Sequence, residues 1–225
     1  MAQPWKTIDN IITCEGLLEL RQRGERDFLI TIGSQILMNS LSNRSEVALG
    51  LLGCGHLKKC DRPLVLVGGL GMGFTLRAVL GTLPPSAQVV VAELNPTVLK
   101  WCREPLASLT ENAVGDPRVT VQIGDVAHRI RTTAENGGEP RFDSIILDLY
   151  RGPHAKTDQR DDPLYGSRAI KNMRIALKPS GVVAVWGENY DENFDKRLRN
   201  AGFTVTINRP GRGGLRHVVF LGRLN

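Results

Sequence analysis

The sequence has few aromatic residues, few cysteines and no long apolar segment. Phe, Trp and Tyr together make up 5% of its 225 residues. No apolar run approaches the roughly 20 residues that a transmembrane helix needs, so we expect no membrane span. Cys14, Cys54, Cys60 and Cys102 show neither a Cys-x-x-Cys spacing nor a paired histidine at ligand distance, so no metal site is expected.

The first residues also lack the pattern of a secretory signal. The segment Met1–Lys6 places no basic region before an apolar core. Without such a signal, reduced thiols in a cytosol are expected rather than two disulfide bridges. The cytoplasm is therefore the expected location.

The net charge of +6 favours solubility and leaves an acidic partner open. The basic residues are scattered, apart from a denser stretch at Arg209–Arg216. No aromatic residues alternate with these arginines, although proteins that bind single strands use such residues for stacking. We therefore interpret the stretch as a solvated hairpin loop. Nucleic-acid modification is a minor hypothesis that depends on charge alone, and no nucleic-acid partner is expected.

One segment carries a much stronger signal. An apolar run ends at Gly68, and Gly69, Gly71 and Gly73 follow at alternate positions. Glycine tolerates a positive φ and has no Cβ, so such a turn can lie against a ligand. The next apolar run ends in Glu93, and an acid about twenty residues after the turn suits the two hydroxyls of a ribose. The sequence therefore predicts a cofactor that contains adenosine.

The chain reads as a small β-rich segment followed by alternating strands and helices. Short apolar runs separated by turn signals predict an antiparallel appendage over 1–41. The rest, 42–225, predicts an α/β domain with a mostly parallel, doubly wound, seven-stranded sheet. A closing antiparallel strand makes it similar to the Rossmann-like class I methyltransferase fold. We place strands at 64–68, 88–93, 118–123, 143–148, 182–187, 203–207 and 217–221, and helices at 73–81, 96–108, 126–135, 164–177 and 191–200.

Polar groups follow four of these strands. Ligands of doubly wound sheets bind at the carboxyl ends of the strands, so these groups are candidates for the site. Asp125 could accept a hydrogen bond from an adenine amino group, or it could simply cap the next helix. The predicted cofactor-binding residues are Gly69, Gly71, Gly73, Glu93, Asp125, Val126 and Asp148.

From about residue 15 to residue 190, the chain resembles the spermidine synthase-like group, the polyamine aminopropyltransferases of the class I S-adenosylmethionine fold. The helix start at Ser45 and Glu46 stands where the family has a Gln-Glu or His-Glu pair. Glu93 matches the ribose-binding acid, and Asp125 matches the acid of the Gly-Asp adenine motif. Asp148 matches the first acid of the family's Asp-Ser-Ser-Asp-Pro loop. The resemblance also implies a homodimer.

Two departures from the family pattern concern the reaction. Gly71 stands where the family has an Asp that pairs with the amine of decarboxylated S-adenosylmethionine. Since that Asp would repel the carboxylate of the intact cofactor, its absence favours S-adenosyl-L-methionine. Arg151 stands where the family has the acid that takes the proton from the attacking amine, and an arginine cannot act as that base. We therefore predict methyl transfer to a small amine-like or carboxylated acceptor.

Asp148, Tyr150 and Arg151 are the predicted catalytic residues. Asp148 would hold or deprotonate an amine. Tyr150 would donate a hydrogen bond or face a cationic substrate, unless it packs under its loop. Arg151 would pair with a substrate carboxylate or phosphate, unless it is solvated. His154 in the same loop is a candidate base or an exposed side chain.

Two other functions stay open. One is an aminopropyltransferase with a rearranged catalytic loop, which would use the decarboxylated cofactor. The other is a protein that binds the cofactor without catalysis. All of these hypotheses share a small-molecule ligand.

Overall fold

The computed structural model describes residues 3–137, 140–211 and 217–224, which form two β-sheets and six α-helices. The tip of the Arg209–Arg216 stretch lies outside the described residues, so its interpretation as a solvated hairpin loop stays a prediction. The strands are β1 (Lys6–Thr13), β2 (Gly16–Arg23), β3 (Asp27–Ile32), β4 (Gln35–Asn39), β5 (Leu64–Gly68), β6 (Gln88–Glu93), β7 (Val119–Ile123), β8 (Phe142–Leu147), β9 (Leu177–Gly187), β10 (Phe203–Asn208) and β11 (Val218–Leu224). The helices are α1 (Arg44–Cys54), α2 (Phe74–Thr82), α3 (Pro96–Arg103), α4 (Val126–Glu135), α5 (Ser167–Ala176) and α6 (Glu192–Asn200).

The N-terminal sheet is antiparallel, with the strand order β1-β2-β3-β4. Leu20 and Phe28 lie buried against the main core, whereas Ile12 on β1 is 84% exposed. The predicted β-rich appendage is thus confirmed, with longer strands than the sequence suggested. β4 ends and α1 begins on either side of residue 41, and the division into domains there stays a prediction.

The main sheet has seven strands in the order β10-β11-β9-β8-β5-β6-β7. β5 to β9 are parallel to one another, and β11 lies antiparallel between β9 and β10. This arrangement confirms the predicted doubly wound sheet with an antiparallel last strand. It brings the carboxyl ends of β5, β6, β7, β8 and β9 to one edge.

Helices cover both faces of this sheet. Along β5, Val65 and Val67 face a core shared with α1, α2 and α3, whereas Leu66 faces a core shared with α4, α5 and α6. Every residue of β8 is buried. Strands covered on both sides read as continuous apolar runs, which is why β5 and β8 were easy to place from the sequence.

The helices start at the carboxyl edge because local side chains cap them there. The Asn95 side chain accepts a hydrogen bond from Thr97 N at the start of α3, where Pro96 occupies the first turn. The Asp191 side chain likewise accepts from Phe194 N at the start of α6. Their N-termini therefore face the same edge as the strand ends.

Two helix boundaries differ from the prediction by more than one residue. α5 begins at Ser167 rather than at 164, because the Asp162 side chain accepts from Leu164 N and Tyr165 N and holds that segment as a turn. α3 ends at Arg103 rather than at 108, since Glu104 leaves the helical conformation with φ −113° and ψ −96°.

Across the three described ranges, no helix is both long and apolar enough to cross a bilayer.

Candidate functional site

The glycine turn after β5 joins three strand ends. Gly69 N donates to Ala92 O at 2.9 Å, and Asp148 N donates to Gly68 O at 2.8 Å. Gly69 has φ +86°, and a Cβ there would collide with the carbonyl oxygen of Asp148. Glycine is therefore required at 69 by both conformation and space.

Gly71 and Gly73 also have positive φ angles, of +52° and +85°. A Cβ at Gly71 would collide with the Met38 sulfur, which comes from β4 of the N-terminal sheet. The space that the family's first-turn Asp would occupy is therefore filled by an apolar side chain. Gly73 is the N-cap of α2.

Glu93 lies where the sequence places it, buried at the end of β6. Its Oε2 accepts from Leu70 N at 2.9 Å and its Oε1 accepts from Asn95 N at 2.8 Å. Burial raises the pKa of this carboxyl, and the backbone N–H groups act in the opposite direction. Each carboxylate oxygen can accept a second hydrogen bond, so ribose hydroxyls can still bind here.

Asp125 and Val126 begin α4 at the next strand end. Asp125 is exposed and its Oδ1 accepts from Ala127 N at 2.8 Å, so the helix-capping interpretation holds. Capping uses one carboxylate oxygen, which leaves the other for an adenine amino group. The buried Val126 side chain packs where a Cβ of Gly68 would lie.

Asp148 is the most perturbed acid of the site. Burial, followed by the nearby charge of Glu46, raises its pKa to about 7, and a hydrogen bond with Thr75 acts in the opposite direction. Thr75 Oγ1 lies 2.6 Å from Asp148 Oδ2 and 3.1 Å from Glu46 O. One hydroxyl proton cannot serve both oxygens. A protonated Asp148 donates to Thr75, which then donates to Glu46 O, so the geometry suits a neutral Asp148 in the absence of a ligand.

A cleft of about 500 Å³ lies between the N-terminal sheet, α1, the loop after β8 and the segment after β9. Acidic, basic and aromatic side chains line it together. Such a lining can bind a cationic amine through both carboxylates and ring faces. The side chains that carry this character are Glu46, Tyr150, Arg151, His154, Trp186, Glu188, Tyr190, Asp191 and His217.

Tyr150 connects the loop after β8 to the N-terminal sheet. Its hydroxyl donates to Glu15 Oε2 at 2.6 Å, and the Arg151 guanidinium carbon lies 5.1 Å from its ring centroid. Burial, followed by Glu15, raises the pKa of Tyr150 to about 12. The hydroxyl and the ring of Tyr150 therefore both contact the protein itself. Arg151 is exposed at the cleft, and its carbonyl oxygen accepts from Tyr165 Oη at 2.7 Å.

The rest of this loop is held against α6. Asp158 pairs with Arg197 and accepts from Asn193 Nδ2 at 2.6 Å. His154 Nδ1 accepts from Lys156 N at 3.1 Å, so this histidine caps a short turn in the loop. The loop that carries Arg151 thus has a defined conformation.

Three residues of the site were given no role by the sequence reasoning. Thr75 contacts Asp148, and Ser45 Oγ lies 2.7 Å from Glu46 Oε2 and 3.1 Å from His217 Nδ1. Ser45 and His217 are 172 positions apart in the chain. β11 brings them together by inserting beside β9, and no local pattern signals that contact.

Solved structures share this fold. The spermidine synthase of Thermotoga maritima superposes with a TM-score of 0.73 at 18% identity, over 98% of this chain and 73% of that one. A spermidine synthase in complex with the transition state analogue AdoDATO superposes with a TM-score of 0.72 at 17% identity, with the same coverage. A scan against models of known protein families found no match.

The sequence relatives are named as polyamine aminopropyltransferases. Polyamine aminopropyltransferase 2 of Streptomyces coelicolor is 33% identical over 156 residues, which is 65% of this chain and 26% of that protein. The polyamine aminopropyltransferase of Mycobacterium tuberculosis is 32% identical over 148 residues, 63% of this chain and 27% of that protein. The chain thus spans about a quarter of the length of these curated relatives. Sequence and fold together confirm the resemblance to the spermidine synthase-like group.

The prediction of a methyltransferase is wrong, since these relatives are aminopropyltransferases. It depended on the acids missing at Gly71 and Arg151. The structure shows that another acid, Glu46, approaches Asp148 closely enough to raise its pKa. The loss of one carboxylate at the glycine turn therefore does not make this region neutral.

Proposed function

We propose that this protein transfers an aminopropyl group from decarboxylated S-adenosylmethionine to an amine. The observation that carries the proposal is the pair of acids at the carboxyl edge of the sheet, where the charge of Glu46 lies near enough to Asp148 to raise its pKa. Thr75 links Asp148 Oδ2 to the main-chain carbonyl oxygen of Glu46. An ammonium group of the donor would bind here as Asp148 gives up its proton. A donor that carries a carboxylate would be repelled. The names of the sequence relatives support the same reaction.

The donor would bind across the strand ends. The turn at Gly69, Gly71 and Gly73 would lie against the nucleoside. Glu93 would accept from the ribose hydroxyls, because it is held rigidly by two backbone N–H groups. For the adenine we propose Asp125, through its second carboxylate oxygen, and the backbone N–H of Val126, which has no acceptor within the helix. Asp148 would bind the donor amine.

The reaction needs an unprotonated acceptor amine. Its lone pair forms a bond to the carbon next to the sulfonium, the carbon–sulfur bond breaks, and the electron pair stays on sulfur as a neutral thioether. Much of the rate can come from holding the two reactants in line. Arg151 stays protonated and cannot accept the amine proton. At the rim of the cleft its positive charge would disfavour a cationic acceptor.

We also propose a homodimer built through the N-terminal sheet. Apolar side chains lie exposed on and beside this sheet: Ile12 is 84% exposed, Ile36 63% and Leu41 65%. Exposed apolar patches on a small sheet mark interaction surfaces. Light scattering should give twice the chain mass, and Ile12→Glu should lower it to the chain mass.

The reaction itself is tested by incubating the protein with decarboxylated S-adenosylmethionine and a panel of diamines, triamines and amino acids. Mass spectrometry should detect methylthioadenosine together with an acceptor that has gained one aminopropyl group. Glu46→Gln should weaken donor binding, whereas the surface variant Lys196→Gln should not. Bound donor without methylthioadenosine across the whole panel would contradict the proposal and favour binding without catalysis.

A further inference from the structure

A hydrogen-bonded group of three residues lies at the cleft and shares Glu46 with the acid pair proposed to bind the donor. Ser45, at the start of α1, contacts Glu46 Oε2 at 2.7 Å and His217 Nδ1 at 3.1 Å. Ser45 is buried, and His217 precedes β11. The contact therefore links the first helix of the main domain to the last strand of its sheet.

The hydrogen bonds define which imidazole nitrogen carries the proton. The hydroxyl of Ser45 has a single proton, and an ionised Glu46 can only accept. Ser45 therefore donates to Glu46 Oε2, and His217 Nδ1 must donate to Ser45 Oγ. In the neutral ring this leaves a lone pair on His217 Nε2. The Glu46 carboxylate, at the far end of this series of hydrogen bonds, stabilises the imidazolium that forms when His217 Nε2 takes a proton.

Packing holds the ring in this orientation. The rings of His217 and Trp186 meet edge to face, with centroids 5.0 Å apart. Both side chains line the cleft. The ionisable groups that line the cleft with His217 are Glu46 on α1, Tyr150, Arg151 and His154 on the loop after β8, and Glu188, Tyr190 and Asp191 after β9.

We propose that His217 is the general base of the reaction, taking over the task for which Arg151 is unsuited. This inference rests on the proposed aminopropyl transfer. His217 Nε2 takes one proton from the ammonium group of the acceptor. The freed nitrogen lone pair then forms the bond to the aminopropyl carbon as the carbon–sulfur bond breaks toward sulfur. The imidazolium afterwards releases its proton to solvent.

The other groups near the cleft are less suited to this step. His154 uses Nδ1 to cap its own loop, and no carboxylate is hydrogen-bonded to it among the described residues. Asp148 is engaged with Thr75 and is assigned to the donor amine. His217 lines the cleft, its tautomer is fixed by a hydrogen bond, and Ser45 links it to the carboxylate of Glu46. These are the features of an oriented base.

The test is the pH dependence of kcat/KM for a diamine acceptor in wild type, His217→Gln and His154→Gln, with His128→Gln on α4 as the matched control. The wild type should show an acidic limb that depends on His217. His217→Gln should lose this limb and about 10²- to 10⁴-fold in kcat/KM near neutrality. Its rate should then rise only as the acceptor amine itself deprotonates. The His154 and His128 variants should keep the limb.

Two further variants separate a base from a structural residue. Imidazole in solution should partly restore turnover to His217→Ala. Ser45→Ala should lower kcat while donor affinity stays normal, because the ring loses the hydrogen bond that orients it. An unchanged limb in His217→Gln, or the absence of imidazole rescue while donor affinity stays normal, would overturn the assignment. If the wild type produces no methylthioadenosine with any amine, the proposed function fails and the inference fails with it.

Discussion

The stability of the protein should depend on pH through Asp148, and the substitution Asp148→Asn should remove that dependence. Its pKa is raised from 3.8 to about 7, mainly by burial. Below pH 3.8 the carboxyl is neutral in both folded and unfolded chains. Between that value and about pH 7 the unfolded chain ionises first, so stability is lost as the pH rises. A shift of about three units corresponds to a loss of about 4 kcal/mol, complete only above the folded pKa.

Asp148→Asn replaces the neutral carboxyl by an amide that can also donate to Thr75. Below about pH 3.8 the variant and the wild type should have similar free energies of unfolding, and at pH 5 the variant should already be more stable by roughly 1 to 2 kcal/mol. Near pH 8 the variant should be more stable by about 2 to 4 kcal/mol, after allowance for solvent access to the side chain. Other titrating groups cancel in this comparison, because both proteins contain them. Urea unfolding at several pH values measures the difference, with Asp125→Asn as the exposed control. A difference that does not change between about pH 5 and pH 8 would refute the assigned burial of the charge.

Three further predictions concern the glycine turn and the loop. Gly71→Ala should cost about 2 to 3 kcal/mol in urea unfolding, because of its positive φ and the Met38 sulfur, and only about 1 kcal/mol in a Met38→Ala background. Equal costs in both backgrounds would show that the contact is unimportant. Arg197→Met should free Asp158, lower stability by about 1 kcal/mol and raise KM for the acceptor, as steady-state kinetics would show. Arg151→Gln should raise kcat/KM for diamines about three- to tenfold by removing a like charge, whereas a fall would assign the guanidinium a direct role.

The positions of the strands along the chain and the strand ends could be predicted because they follow from short-range patterns. The apolar runs before Gly69 and Glu93 are bounded by turn residues, so β5 and β6 fall on the expected residues. β9 is longer than expected, since Leu177 already pairs with Phe142 before the strand continues through Gly181. A sequence window does not contain that partner, so the early start of the strand could not be predicted.

Some residues of the site could likewise be predicted from the sequence, whereas others could not. Glu93 and Asp148 could be located because an acid at the end of a buried strand is visible in the sequence. The role of Thr75 depends on its contact from α2 with Asp148 at the end of β8. The role of His217 depends on its contact with Ser45, which follows from β11 returning beside β9. The reaction was predicted wrongly because a missing acid at Gly71 is visible in the sequence, whereas the proximity of Glu46 to Asp148 is not.

Donor selectivity is the decisive property of the pair formed by Glu46 and Asp148. Calorimetric titration at about pH 8, where Asp148 is ionised, compares decarboxylated with intact S-adenosylmethionine. At an effective dielectric constant of about 20, two like charges about 5 Å apart repel by about 3 kcal/mol. We therefore expect the decarboxylated donor to bind at least about tenfold more tightly than the intact cofactor. We expect Glu46→Gln to lose that preference. Equal affinity, or tighter binding of the intact cofactor, would contradict the assignment of the acid pair to the donor amine.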